Sequence, residues 1–250
     1  MMVPVYAINL DRSVDRWKRL REQAEHLNIN LTRVPAVDGS AIAPELREDV
    51  RHDRFRRFNG RPVLAGEYGC YRSHLKALEL FLASSAEAAL VVEDDIELVP
   101  DLTGRAAAIL RAVPGADVVK LINHRARWFI RKATSDLGDE IGRCLHGPQG
   151  SAACYLVTRA GAEKLLDAIS IMEFPYDVAI ERGWSTGVAI YTVRENVVTL
   201  GPWKDVTEIA DRRQYRAVKI TGPRRIFTHV FRAGDYVRRI AYALRSIIRA

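Results

Sequence analysis

An apolar run that ends in three consecutive acids limits this chain more than any other stretch. Ala89, Leu90, Val91 and Val92 are followed at once by Glu93, Asp94 and Asp95. Four apolar residues bounded by polar ones read as a short strand covered on both faces, as an α/β sheet requires. The start of the chain supplies the matching pieces. Residues 3–10, VPVYAINL, read as an opening strand. Ser13 stands as the N-cap of a helix in which Trp17, Leu20, Ala24 and Leu27 recur at helical spacing. LTRVPAV then reads as a second strand and DGS as the turn that closes it. A βαβ opening predicts a mostly parallel sheet with helices on its faces.

The same alternation continues. The polar segment from Ala43 to Pro62 is predicted to be an irregular excursion, and AGEYGCYRSHLKALELFLAS a helix with Leu75, Leu78 and Leu82 on one face. After the acidic strand come a helix over about Leu102 to Ala112, a strand at ADVVKLI, and Gly- and charge-rich loops from His124 to Gly150. AACYLVT reads as a strand, RAGAEKLLDAIS as a helix and VAIYTVREN as a late strand. The 250 residues therefore divide into one α/β domain, residues 1–222, and a basic tail, residues 223–250.

The net charge of +7 is unevenly placed. One concentration is LREDVRHDRFRRFNGR, residues 46–61; the other is the tail, with seven arginines and the single acid Asp235. A solvated surface accounts for either, and so does an acidic partner: phosphate-bearing substrate, nucleic acid or anionic lipid. Nucleic acid ranks last, since no recognisable nucleic-acid module or aromatic-rich basic strand is present. The N-terminus carries no basic start and reads as a strand rather than a signal peptide, and no apolar stretch is long enough to span a bilayer. Cys70, Cys144 and Cys154 form neither a zinc pattern nor a disulfide framework. A cytoplasmic location is the expectation.

Ligands in open α/β sheets collect beyond the carboxyl ends of the strands. Side chains alternate along a strand, so Glu93 and Asp95 should share a face and Asp94 should oppose them. Two carboxylates converging there suit a hard cation, Mn²⁺ or Mg²⁺, shared with phosphates. A helix cap or a surface turn is the competing account of the triplet. No Asp-x-Asp-x-Thr sequence argues for a phosphohydrolase.

Four segments, in order, resemble glycosyltransferase family 25, the lipopolysaccharide (LPS) galactosyltransferase-like family. They are VYAINLDRSVDRWKRL, RVPAVDGS, GEYGCYRSHLKALELFLASSAEAALVVEDDIEL and GSAACYLVTRAGAEKLLDA. The resemblance implies a GT-A-like domain that holds a metal on a nucleotide-sugar diphosphate through a DXD-like motif. On that basis Glu93 and Asp95 are the expected metal ligands. Asn9, Leu10, Arg12, Arg16, Asp38, Gly39, His74 and Asp94 are the expected nucleotide-sugar contacts. For Asp15 and Arg16 an intrahelical pair competes with this role, for Asp38 and Gly39 a plain turn, and for His74 a structural bond. Glu67 and Ser73 are expected to support the architecture. Asp177, after the Pro of EFPYDVAIERGW, is the expected catalytic base, with an N-cap role competing and Glu181 as the alternate. His146, His229 and Asp205 are possible further ligands outside any motif.

Two departures from the family stand out: Ala153 and Cys154 replace an expected Gly before Tyr155, and VTEI at residues 206–209 replaces a Ser-x-Ile ending. The family resemblance implies an inverting hexosyltransferase, with UDP-galactose as first donor and an LPS or other surface glycan as acceptor. A catalytically weak nucleotide-sugar or glycan-binding protein on the same fold is the rival. In the tail, Val237, Ile240, Ala241, Leu244, Ile247 and Ile248 form an apolar stripe, with Arg238, Arg239, Arg245 and Arg249 expected on the other side. Such a helix either lies on an anionic membrane or packs its stripe on the domain.

Overall fold

The computed structural model of the chain describes residues 3–202 and 212–245. It opens with β1 (Val5–Asn9), α1 (Val14–His26) and β2 (Leu31–Pro35), the βαβ unit that the sequence predicts. Then come α2 (His52–Asn59), α3 (Ala65–Leu82), β3 (Ala88–Glu93), β4 (Ile96–Glu97), α4 (Leu102–Ala112) and β5 (Val118–Lys120). A hairpin, β6 (Phe129–Thr134) and β7 (Glu140–Cys144), leads to β8 (Cys154–Thr158), α5 (Arg159–Ile169), α6 (Tyr176–Ala179) and α7 (Gly183–Thr186). β9 (Ile190–Val193), β10 (Thr199–Leu200), α8 (Arg212–Ala217) and α9 (Ile226–Leu244) follow.

Eight strands form one sheet in the order β2-β1-β3-β8-β5-β9-β7-β6. β1 is parallel to β2 and β3, and β5 is parallel to β9. β8 runs antiparallel between β3 and β5, and β7 antiparallel between β9 and β6. The fold is α/β: six of the eight strands run the same way, with β8 and β7 reversed between them, and helices flank the sheet. Alternation along the strands places the two cores. Val5, Ala7, Leu90 and Val92 pack with Leu20 of α1 and Ile109 of α4. Tyr6, Ile8, Ala89 and Val91 pack with Leu78 of α3 and Leu165 of α5 on the opposite face. Full burial of each Leu or Val is worth about 1.5–3 kcal/mol relative to exposure, so a run apolar on both faces belongs inside the sheet.

Two expectations change. The predicted irregular segment 43–62 contains α2, because its charged sequence hides a one-sided apolar face. Phe55 is fully buried, and Phe58 stacks on Phe231 at 4.0 Å and on Phe174 at 5.3 Å. Gly60, at φ +71°, ends the helix in the left-handed conformation that glycine adopts without strain. The segment predicted as loops, 124–150, carries the β6–β7 hairpin. β6 is a half-exposed edge strand with an irregular register between Arg131 and Ala133, so its apolar alternation is weak.

The tail helix is joined to the domain by one face. Phe231 belongs to the aromatic stack with Phe58 and Phe174. Asp235 accepts from Trp184 Nε1 at 3.1 Å and pairs with Arg182 at 2.5 Å. The Tyr242 hydroxyl accepts from the Ile190 amide at 2.8 Å. Arg239, expected beside Arg238 and Arg245, instead turns inward, because the buried Glu181 carboxylate requires a counter-charge and takes it at 3.0 Å. Packing therefore continues across residue 222. Ile247, Ile248 and Arg249 lie outside the described residues.

Candidate active site

A cavity of about 390 Å³ is lined by the residues that follow β1 and β3, by the turn after β2, and by α3 and α6. Glu93, Asp94 and Asp95 all line it, as do Leu10, Arg12, Arg16, Asp38, Gly39, His74 and Asp177. Residues far apart in sequence meet there because β1 and β3 are adjacent parallel strands with their carboxyl ends together.

The three acids have unequal surroundings. Asp94 accepts from Asn9 Nδ2 at 2.6 Å and from Arg16 Nη1 at 3.3 Å. Burial raises its carboxyl above the usual range, against the pull of Asn9 and Arg16. Asn9 is buried, donates also to the Ser13 carbonyl at 3.1 Å, and holds Asp94 rather than forming cavity wall. Glu93 Oε1 lies 3.2 Å from His74 Nε2. His74 is wholly buried, bonded through Nδ1 to the Tyr155 hydroxyl at 3.3 Å and stacked on Tyr176 at 4.1 Å. Its fixed ring orients Glu93.

Asp95 has one carboxylate oxygen, Oδ1, buried without a hydrogen-bond partner among the described residues. Burial first, then Glu93 and Asp94, push its carboxyl up to about 7. An orphaned buried acceptor costs about 1–3 kcal/mol, and more when charged. A hard divalent cation suits these residues: three adjacent oxygen-bearing acids line one cavity, and one of their buried oxygens is unmet among the described residues. Cys70, one turn before His74, also brings its sulfur near His74 and Glu93, all within 4.8 Å of one another. Burial raises that thiol well above its ordinary value, so it is a poor partner for a hard cation.

Asp38 and Arg12 form an ion pair. The Asp38 side chain also accepts from the Ser40 amide at 3.0 Å, and chiefly Ser40, with Arg12, holds its carboxyl below the usual range. A Cβ on Gly39 would fall 1.9 Å from the Ala65 carbonyl oxygen, so only glycine lets this turn close on α3. Ser73 accepts from the Val37 amide at 2.8 Å, and Glu67 pairs with Arg61, the architectural roles expected of both. Asp15 is exposed on α1 and does not line the cavity.

Asp177 sits in the first turn of α6, where the N-cap position belongs to Pro175. Among the described residues, its Oδ1 accepts only from the next amide, Val178, at 3.0 Å. Burial and then Glu181 push it up to about 6, with Lys120 opposing. Glu181, the alternate base, is corrected by its surroundings. It lies away from the cavity, fully enclosed, and accepts from Lys120 Nζ at 2.7 Å, from Arg239, and from the Gln149 and Gly150 amides at 2.9 and 3.1 Å. Burial alone would raise its carboxyl, but Lys120 and Arg239 hold it below the usual range. No lone pair is left for an acceptor. Its work is to fix the loop that turns through Gly150 (φ +73°) and Ser151 (φ +62°) into the cavity wall.

His146 is packed between Trp128 and Tyr236, and His229 is exposed on α9; neither lines the cavity. Asp205 and residues 206–209 lie outside the described residues. Sequence reasoning missed Cys70, His124, Tyr176 and Tyr215, which line the cavity. Cys70 stands four residues before His74, a helical spacing that points to it. His124 follows the carboxyl end of β5, where ligands gather. Tyr176 and Tyr215 carry no local signal.

The family pattern described as "Glycosyltransferase family 25 (LPS biosynthesis protein)" matches residues 2–180. A "Glycosyltransferase 25 family member" from Aedes aegypti is 27% identical over 175 residues, covering 65% of this chain and 28% of the relative. "Inactive glycosyltransferase 25 family member 3" from Homo sapiens is 26% identical over 167 residues, with 65% and 28% covered. "Procollagen galactosyltransferase 2" from Homo sapiens is 29% identical over 96 residues, with 37% and 15% covered. The chain thus spans less than a third of the length of these curated relatives.

Proposed function

Because this chain belongs to glycosyltransferase family 25, we propose that it is an inverting, metal-dependent transferase that moves a hexose from a UDP-sugar to an LPS oligosaccharide or related surface glycan. The observation that carries the reading is the unmet Asp95 oxygen in a run of three acids that line one cavity at the strand ends. Glu93 and Asp95 would hold Mn²⁺ or Mg²⁺, which when bound would neutralise charge on the departing diphosphate. Asn9 and Arg16 keep Asp94 in place beside them. Arg12 and Arg16 bring positive charge to the same cavity, suited to phosphate oxygens. Asp177, half-ionised near pH 6 and mostly ionised at neutral pH, takes the proton of the acceptor hydroxyl.

Galactose is the first candidate sugar, a choice supported by the name of the procollagen-modifying relative. A GT-A-like arrangement and a cytoplasmic location are part of the proposal, the latter supported by three free cysteines. A second reading, a nucleotide-sugar-binding protein without useful turnover, draws on the relative named inactive. Incubating the protein with a panel of UDP-sugars, Mn²⁺ and an LPS-derived oligosaccharide, and following UDP release, separates the two. Transfer predicts acceptor-stimulated UDP release from one donor above the rest. Saturable UDP-sugar binding with no release from any donor favours the second reading.

A further inference from the structure

The inner face of α9 is committed to the domain, and its outer face is apolar. Ile226, Phe227, Val230, Val237 and Leu244 are 60%, 58%, 65%, 66% and 59% exposed. At 3.6 residues per turn, Ile226, Val230, Val237, Ala241 and Leu244 fall within about 60° of the helix circumference. They form one stripe along a helix about 28 Å long. Soluble surfaces scatter single apolar residues; a continuous row of large ones marks a surface that something covers.

The edges of the stripe are basic. Arg232 and Arg238 are exposed on α9 itself, and Arg245 is exposed at its C-cap. Arg57, on the neighbouring α2, lies over the Phe227 ring at 4.9 Å, and Arg56 beside it is exposed. The only acid on α9, Asp235, points inward to Arg182 and Trp184. The face therefore presents an apolar row between cations, with no exposed carboxylate on the helix. We infer that the outer face of α9 docks on an anionic lipid bilayer, with the helix lying flat and the domain above it.

Charge decides between occupants. A second copy meeting this face would set arginine rows against each other, which opposes association, whereas anionic headgroups complement them. The helix rests on the surface rather than crossing it, since no described helix is long and apolar enough to span a membrane. Docking also needs no folding step. The inner face is already fixed by Phe231, Asp235, Arg239 and Tyr242, so the stripe is presented on a rigid support.

The test uses the full chain and vesicles of phosphatidylcholine with or without phosphatidylglycerol, read by co-sedimentation. The wild-type protein should pellet with the anionic vesicles at low salt, weakly with neutral ones, and release as salt rises. Val230→Glu/Val237→Glu changes two exposed positions, so the melting temperature should hold while vesicle partitioning falls about tenfold or more. Arg238→Glu/Arg245→Glu should weaken binding to anionic vesicles as well. Equal partitioning of Val230→Glu/Val237→Glu and wild type would overturn the assignment, because general charge would then suffice. So would a concentration-dependent dimer that ignores vesicles and dissociates in the same variant, since a second copy would then cover the stripe.

Discussion

Two groups of enclosed acids lie on either side of the same wall and differ in how their charge is met. Glu181 is fully buried and has Lys120, Arg239 and two backbone amides around it. Asp95 stands beside two more acids and keeps an oxygen with no partner among the described residues. A met acid is architecture: removing one side of it leaves a buried opposite charge stranded. An acid whose buried oxygen no neighbour satisfies, in a cavity with two more acids, suits a ligand that brings positive charge.

Substitutions should divide along that line. The largest effect is expected at Asp95. Asp95→Ala should lower turnover by about 10³-fold or more, since a metal supplies several kcal/mol to the departing charge, and EDTA should do the same to wild type. The thermal midpoint of Asp95→Ala should stay level or rise, because an unmet buried charge is removed. Glu181→Ala should behave in the opposite way. Stranding Lys120 and Arg239 should destabilise the fold by about 3–5 kcal/mol in urea titration, and α9 should loosen with it. A Glu181→Ala protein as stable as wild type would erase the contrast between the two groups.

Asp177 comes next. Asp177→Asn should reduce kcat by about 10²-fold with donor binding retained. Burial and Glu181 raise this carboxyl to about 6, so the wild-type rate should fall as pH drops through that value, where the base becomes protonated. The variant should lose that limb of the profile. The smallest effect belongs to Arg12, about half exposed in its pair with Asp38. Arg12→Ala should change stability by under about 0.5 kcal/mol and raise the donor KM only severalfold.

Much of this was legible in the sequence, for physical reasons that vary by residue. The apolar run ending at Glu93 reported its own burial, and helical spacing reported α1, α3 and α5. α2 was hidden because its two phenylalanines stand among arginines, and the stack that holds them is completed by Phe174 and Phe231, far along the chain. Glu181 illustrates the other limit. Its spacing from Asp177 places it one helical turn on, yet the α6 turn ends at Ala179 and Glu181 points to Lys120. The tail pattern correctly picked out the apolar row at Val237, Ala241 and Leu244. It could not reveal that the row faces outward, since Arg239 turns inward only to meet Glu181.

The central claim is that the acids after β3 hold a divalent cation together with the donor diphosphate. Electron paramagnetic resonance of free Mn²⁺ tests it without any assumption about acceptor or sugar. Adding the protein and UDP should deplete the free Mn²⁺ signal beyond what UDP alone removes, and Asp95→Asn should abolish that extra depletion while remaining folded. The same free Mn²⁺ signal with and without wild-type protein, or undiminished depletion by Asp95→Asn, would contradict the account.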